Sequence, residues 1–113
     1  MKDPKILVVE KYLDSLRRQD LSDAPLAEDV CFQNPISGKG RGAEAMRSWL
    51  SGFLPALHEL RIVQHVCEGE FVVTHWEADS DFGCVAILEK FRVRDGLITE
   101  AMAFLDPRPV FGN

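Results

Sequence analysis

The stretch Cys31-Phe32-Gln33-Asn34-Pro35-Ile36-Ser37-Gly38 sets an amide, Asn34, where an apolar run meets a Pro/Gly turn. Two roles suit an amide there. It can cap the turn ahead of Pro35, or it can face a ligand as a donor and acceptor that orients a carbonyl, a water or a hydroxyl. An amide cannot accept a proton in the transition state as a carboxylate can, so Asn34 is an orienter and not a base. Tyr12 is the only tyrosine and lies beside Val9, Leu13 and Leu16. A tyrosine in a packed core needs a partner for its hydroxyl, whereas a catalytic one leaves that hydroxyl aimed at a cavity. Glu89 shares a strand face with Val85, Ile87, Phe91 and Val93. If that face looks inward, burial raises the carboxyl pKa and lets the protonated acid donate a hydrogen bond; the competing roles are a cross-sheet ion pair and a solvent edge. Glu100, Met102, Phe104 and Asp106 alternate onto one face of "TEAMAFLDP".

The histidines carry less. Alternation puts Val72, Thr74, Trp76 and Ala78 on the more apolar face, which leaves Val73, His75 and Glu77 on the other. His75 is therefore expected at a surface or an interface. His58 and His65 are too scattered to make a metal site with a carboxylate at known spacing.

These residues need elements to hold them. From Pro4 to Gln19 the apolar positions Ile6, Val9, Leu13 and Leu16 recur at helical spacing, and Asp3-Pro4 supplies an N-cap and a first-turn proline. A second short helix is expected over "SDAPLAED", residues 22–29, then a short strand at Val30-Cys31-Phe32. A third helix over "GAEAMRSWLSGFLPAL" places Ala45, Met46, Trp49, Leu50 and Phe53 on one face and ends near Pro55. Beyond Leu57 the period becomes 2. Four strand-like segments are joined by Glu68-Gly69-Glu70, Asp79 to Gly83, and Asp95-Gly96, the short links of antiparallel neighbours. Helices first and a meander after is the α+β pattern.

Composition bounds the rest. A chain of 113 residues is the length of one domain, 1–113, and 46% hydrophobic with 27% charged residues is a globular balance. A net charge of −5 disfavours nucleic acid, whose binding is dominated by Lys and Arg; Arg17, Arg18, Arg92 and Arg94 form only short clusters on what reads as a solvated face. Cys31, Cys67 and Cys84 lack paired metal or redox spacing, and their apolar surroundings predict core packing in a reducing compartment. "MKDPKILVVEKYL" does not resemble a signal peptide and no segment is long enough to span a membrane, so the expected location is cytoplasmic, with no membrane partner.

The segment "VVEKYLDSLRRQDLSDAPLAEDVCFQNPISGKGRGAEAMRSWL", followed by "AILEKFRVRDGLITEAMAFLDP", resembles the nuclear transport factor 2-like superfamily, and within it the SnoaL-like polyketide cyclases and ketosteroid isomerases. The resemblance implies a cone-shaped half-barrel, with three N-terminal helices packed on a curved, mainly antiparallel sheet around an apolar cavity. It matches Tyr12 to the isomerase's helix tyrosine, Asn34 to the position of its aspartate base, and Glu89 to its protonated strand acid. It also turns the face of Glu100, Met102, Phe104 and Asp106 toward the cavity, so that Asp106 or Glu100 stands as replacement base. The implied function is binding of a small apolar carbonyl- or hydroxyl-bearing molecule against Phe32, Trp49, Phe53, Phe91, Met102 and Phe104. The implied chemistry is acid/base and needs no cofactor or metal: isomerisation, cyclisation, dehydration or hydrolysis. The rival is a non-catalytic ligand-binding or dimerisation module. A homodimer is expected, because in this fold the outer sheet face commonly packs on a second subunit.

Overall fold

The computed structural model describes residues 2–111. Helix α1, Pro4–Arg17, begins as its sequence dictates: the Asp3 carboxylate accepts the Lys5 backbone N–H at 2.9 Å and Pro4 fills the first turn. Its buried stripe is Val9, Tyr12, Leu13 and Leu16. The helix ends at Arg17, two residues before the expected end. Gln19 turns left-handed at φ 57°, and its amide donates to the carbonyls of Leu54 and Leu57 at 3.0 and 3.1 Å.

The expected helix over 22–29 does not form. Residues 22–25 are a turn and irregular backbone, and Leu26 opens strand β1, Leu26–Asn34, which hydrogen-bonds in parallel to the last strand. Eight residues interrupted by Pro25 make a poor helix, and the ladder with the last strand offers their backbone groups better partners. A hairpin leads to β2, Gly38–Arg41, then α2, Ala43–Phe53, and a 3-10 turn, Leu54–Ala56. The meander follows as β3, Leu57–Glu68, β4, Phe71–Ser80, β5, Gly83–Arg94, and β6, Leu97–Phe104, and a short C-terminal helix α3, Arg108–Phe111, ends the described chain. The architecture is α+β. Of its three helices only α1 is N-terminal, which corrects the expectation of three.

The six strands form one curved, mixed sheet in the order β2-β1-β6-β5-β4-β3, antiparallel except for β1 against β6. Asp95 and Gly96 both have positive φ, 52° and 76°, the geometry of a two-residue hairpin turn whose twist matches its strands. Helices α1 and α2 cover one face of the sheet. On that face β4 presents Val72, Thr74, Trp76 and Ala78 and β5 presents Ile87, Glu89, Phe91 and Val93, as alternation requires. His75 lies on the opposite face, half-buried, across from Leu88.

β6 departs from simple alternation. Arg92 pairs with Glu100 and Val93 with Ile98, which leaves Thr99 with no residue opposite it. This bulge lets Ile98 face the core and then reverses the phase. Ala101 is therefore buried, and Glu100, Met102 and Phe104 pair with Arg92, Lys90 and Leu88 on the outer face.

A polar chain ties α1 to the sheet: the Glu10 carboxylate meets His65 Nε2 at 3.1 Å, and His65 Nδ1 meets the buried Thr74 hydroxyl at 2.8 Å. The cysteines are a correction, since Cys31 and Cys84 are exposed and only Cys67 is half-buried. Among the described residues no helix is long and apolar enough to cross a membrane.

Gly40 sits opposite Phe32 in the β1–β2 hairpin, and a Cβ there would run into the Phe32 ring. Gly40→Ala is accordingly expected to destabilise the fold by about 1–3 kcal/mol, the usual cost of overpacking. Urea unfolding checks this; an unchanged midpoint would mean that the ring turns away freely.

Candidate functional site

The curved sheet and its helices close over an apolar cavity whose space, open mouth included, is about 750 Å3. α1 contributes Tyr12 and Leu16; α2 contributes Met46, Trp49, Leu50 and Phe53; β1 contributes Phe32, Gln33 and Asn34. Trp76, Ala78 and Ser80 come from β4, Val85, Ile87 and Glu89 from β5, and Ala101, Ala103 and Leu105 from the last strand and its extension. Ile36, Phe82 and Val110 complete the wall. Trp49 and Phe53, four apart on one helix face, stack with ring centres 6.0 Å apart. Small residues make the room: Ala78, Ala101 and Ala103 stand where longer side chains would fill the space.

Among the described residues Glu89 is the only Asp, Glu, Lys, Arg or His side chain in this wall. It is 5% exposed, and Trp76 Nε1–H donates to its Oε1 at 3.1 Å. Burial drives the carboxyl from the ordinary glutamate value of 4.5 up to about 7, against the smaller opposing pull of the indole hydrogen bond. The other oxygen, Oε2, has no protein donor among the described residues. No buried polar side-chain atom is left without a partner there, so Oε2 opens on the cavity. The Tyr12 hydroxyl behaves the same way. Its pKa is pushed well up by burial and, secondarily, by the neighbouring Glu89. Phe91 packs edge-on against the Tyr12 ring, centres 5.6 Å apart, and holds it in place. Two hydrogen-bonding groups thus reach an otherwise apolar chamber, one of them an acid poised near neutrality.

Asn34 also borders the chamber but is committed elsewhere. Its Oδ1 accepts the backbone N–H groups of Ile36 and Ser37 at 3.0 and 2.8 Å, and its Nδ2 donates to Ser37 Oγ at 2.9 Å. Those bonds build the turn into β2 and leave one amide N–H for anything in the cavity.

Of the residues singled out from sequence, Tyr12, Asn34, Glu89, Phe32, Trp49 and Phe53 meet at this wall. The others do not. Phe91 is fully buried behind Tyr12 rather than at the cavity surface. The Thr99 bulge turns Glu100, Met102 and Phe104 outward, where Glu100 accepts from Arg92 at 3.1 Å. Asp106 lies beyond the strand and takes the Arg108 backbone N–H and guanidinium, which hold its carboxyl down at about 2. Neither Glu100 nor Asp106 is placed as a base for this cavity. Trp76 was missed as the partner of Glu89, although both alternate inward on adjacent strands at diagonal positions. Among the described residues no three His, Cys, Asp or Glu side chains are placed to share a metal ion.

The raised Glu89 pKa has a consequence for folding. Below about pH 4.5 the folded and unfolded chains are both protonated and Glu89 costs nothing. As pH climbs toward 7 the unfolded chain releases a proton that the folded chain retains, so stability falls, by about 3 kcal/mol in all, and the loss is complete above 7. Glu89→Gln is expected to lack this decline. Denaturant unfolding of both proteins at several pH values checks it; parallel stability curves would place the carboxyl in water.

The family model described as SnoaL-like domain matches residues 9–101. Comparison with curated proteins finds no match. The solved structures that share the fold include an NTF2-like protein of unknown function from Cytophaga hutchinsonii, 20% identical over 98% of this chain and 97% of that one, TM-score 0.83; an LEH-like epoxide hydrolase from M. tuberculosis, 24% identical over 96% and 87%, TM-score 0.77; and a steroid delta-isomerase from Pseudomonas aeruginosa, 19% identical over 95% and 82%, TM-score 0.76. At these identities the likeness is one of fold, and it agrees with the helix-covered curved sheet described above. With its family model spanning α1 to β6, the chain belongs to the SnoaL-like domain family of the NTF2-like superfamily.

Proposed function

We propose that the protein binds a small apolar molecule bearing a carbonyl or hydroxyl group, with that group held between Tyr12 and Glu89. The observation that carries this is the pairing of two otherwise unpartnered polar atoms, the Tyr12 hydroxyl and Glu89 Oε2, inside a cavity walled by aliphatic and aromatic side chains. A bound ligand carbonyl accepts from the Tyr12 hydroxyl and from protonated Glu89. In the catalytic reading Glu89 acts ionised: its carboxylate takes the substrate's C–H proton and returns it at the product carbon while the Tyr12 hydroxyl alone donates to the enolate oxygen, because a carboxyl near pH 7 gives up and regains a proton with little cost in either direction. The chemistry is cofactor-free isomerisation, cyclisation, dehydration or hydrolysis; of these, isomerisation and hydrolysis are represented among proteins of this fold by a steroid delta-isomerase and an epoxide hydrolase. A second reading, binding without turnover, is favoured by the commitment of Asn34 to its turn and by the outward placement of Glu100 and Asp106. The three free cysteines suit a cytoplasmic setting.

Cyclohexanone should bind by titration calorimetry, and Tyr12→Phe should weaken it about tenfold, the worth of one hydrogen bond to a buried acceptor. Conversion of a β,γ-unsaturated cyclohexenone to its conjugated isomer, followed by absorbance, separates the two readings. Turnover lost in Glu89→Gln with binding retained supports catalysis; binding without turnover in the parent leaves the binding module; no binding overturns both.

The partner we propose is a second copy of the chain, docked through the outer sheet face. Val66, Val73, Leu88, Met102 and Phe104 form an apolar strip across that face, broken at Lys90, which stands between Val73 and Met102; Val66, Leu88 and Phe104 are about half exposed. Ion pairs border it at both ends: Arg61 with Asp79 and Glu77, and Arg92 with Glu70 and Glu100. A two-fold axis through such a strip sets apolar on apolar and offers each rim charges of both signs. Sedimentation at micromolar concentration should give a dimer, and Leu88→Asp a folded monomer. A monomeric parent would overturn the assignment.

A further inference from the structure

We infer that the cavity has a second ligand class, hydrophobic primary amines, bound as ammonium ions with the charged head on Glu89 and the Tyr12 hydroxyl oxygen and the hydrocarbon body against the aromatic wall. This uses the chamber of the proposed function but a different protonation state and a different ligand.

Among the described residues the chamber contains one carboxyl group and no Lys, Arg or His to offset it. Trp76 satisfies only Oε1 of Glu89, and Oε2 faces the cavity. An ionised carboxylate buried with a single hydrogen bond is costly, and a cation brought by the ligand removes that cost by supplying the missing charge and donors together. A primary ammonium has three N–H donors. The Glu89 carboxylate and the Tyr12 hydroxyl oxygen take two of them. Carboxylates and phosphates are disfavoured by the same inventory, since no cation awaits them and Glu89 repels them.

Selection between the two classes follows from the proton on Glu89. A neutral carbonyl needs that proton, and an ammonium needs it gone. Few other groups intrude on this equilibrium. From α1 comes Tyr12, uncharged in its raised state; from β4 come Trp76 and Thr74, the latter bonded to His65 on β3; from β1, α2 and β6 come only uncharged side chains. The cavity is thus expected to favour carbonyl compounds on the acid side of neutrality and amines on the alkaline side.

The test uses cyclohexylmethylamine, cyclohexanemethanol and cyclohexanecarboxylate, three probes of one shape, titrated calorimetrically into the full chain near pH 5.5 and near pH 8.5. The amine stays protonated at both, so any change reports the protein. Amine affinity is expected to rise about tenfold or more from the lower to the higher pH, the alcohol to change little, and the carboxylate not to bind at the higher pH. Glu89→Gln, checked for folding by circular dichroism, is expected to abolish the amine preference and its pH dependence. Amine binding that is no tighter than alcohol binding near pH 8.5, or that is indifferent to pH in the parent, overturns the assignment even if the variant fails to fold. Alcohol binding in that case leaves the carbonyl and hydroxyl reading standing; binding of none of the probes at either pH rejects the amine site as well.

Discussion

A carboxyl group kept from water with one hydrogen bond and no counter-ion is the constraint around which this protein is arranged. Glu89 sits on the inward face of β5 between Ile87 and Phe91, with Thr74 and Ala103 opposite it on the flanking strands. Such a group costs free energy when it ionises, and it persists because the rest of the core offsets it: Val9, Leu13, Val30, Val72, Phe91 and Ile98 are all completely buried around the same sheet. The many ion pairs do little of this. Those of Arg61, Arg92, Arg94 and Arg108 lie at the surface, where solvent screening leaves each of them little to contribute. Sorting the charges in this way, one acid inside and the pairs outside, produces an electrostatically bare chamber in which a single proton matters.

The chamber owes its shape to a backbone irregularity and to small side chains. Had β6 run on from Ile98 without the bulge at Thr99, Glu100, Met102 and Phe104 would face inward, and a methionine, a phenylalanine and a second acid would occupy the present cavity. The bulge replaces them with Ala101, Ala103 and Leu105 and places the longer side chains on the outer face. One extra residue therefore opens the internal space and builds the apolar strip on the other side of the sheet.

Membership of a SnoaL-like family constrains the scaffold more than the chemistry. The chain shares its fold with an epoxide hydrolase and a steroid delta-isomerase, while the character of its cavity is set by particular side chains. An amide stands at Asn34 with its oxygen occupied by two backbone N–H groups, and a Trp76–Glu89 hydrogen bond orients the buried acid. A carboxylate at position 34 would receive the same backbone donors and be held ionised, so the amide removes a charge from the cavity rim while keeping the turn.

Much of this was legible in the residues themselves. The Asp3-Pro4 start, the helical spacing through Leu16, the Asp95-Gly96 turn and the strict alternation of β4 and β5 are local signals, and local signals suffice because each rests on interactions within a few residues. They put Tyr12 beside the buried stripe and His75 on the outer face, and they set Glu89 on one strand face with Val85, Ile87, Phe91 and Val93 without deciding that the face looks inward. What lay beyond reach depended on partners distant in sequence. Residues 22–29 fail as a helix because β1 finds a parallel neighbour some seventy residues later, Leu26 beside Ile98. The phase of β6 reverses because Thr99 is left out of a ladder with β5, and alternation alone cannot reveal a residue that the partner strand skips. Asn34 bears both a turn role and a cavity position in its sequence context, and only the folded hairpin decides the matter, by spending its oxygen on Ile36 and Ser37. Residue types and their spacing determined which groups could do chemistry; the pairing of strands determined which of them share a space, since a carboxylate becomes an acid near neutrality only where the surrounding chain keeps water away from it.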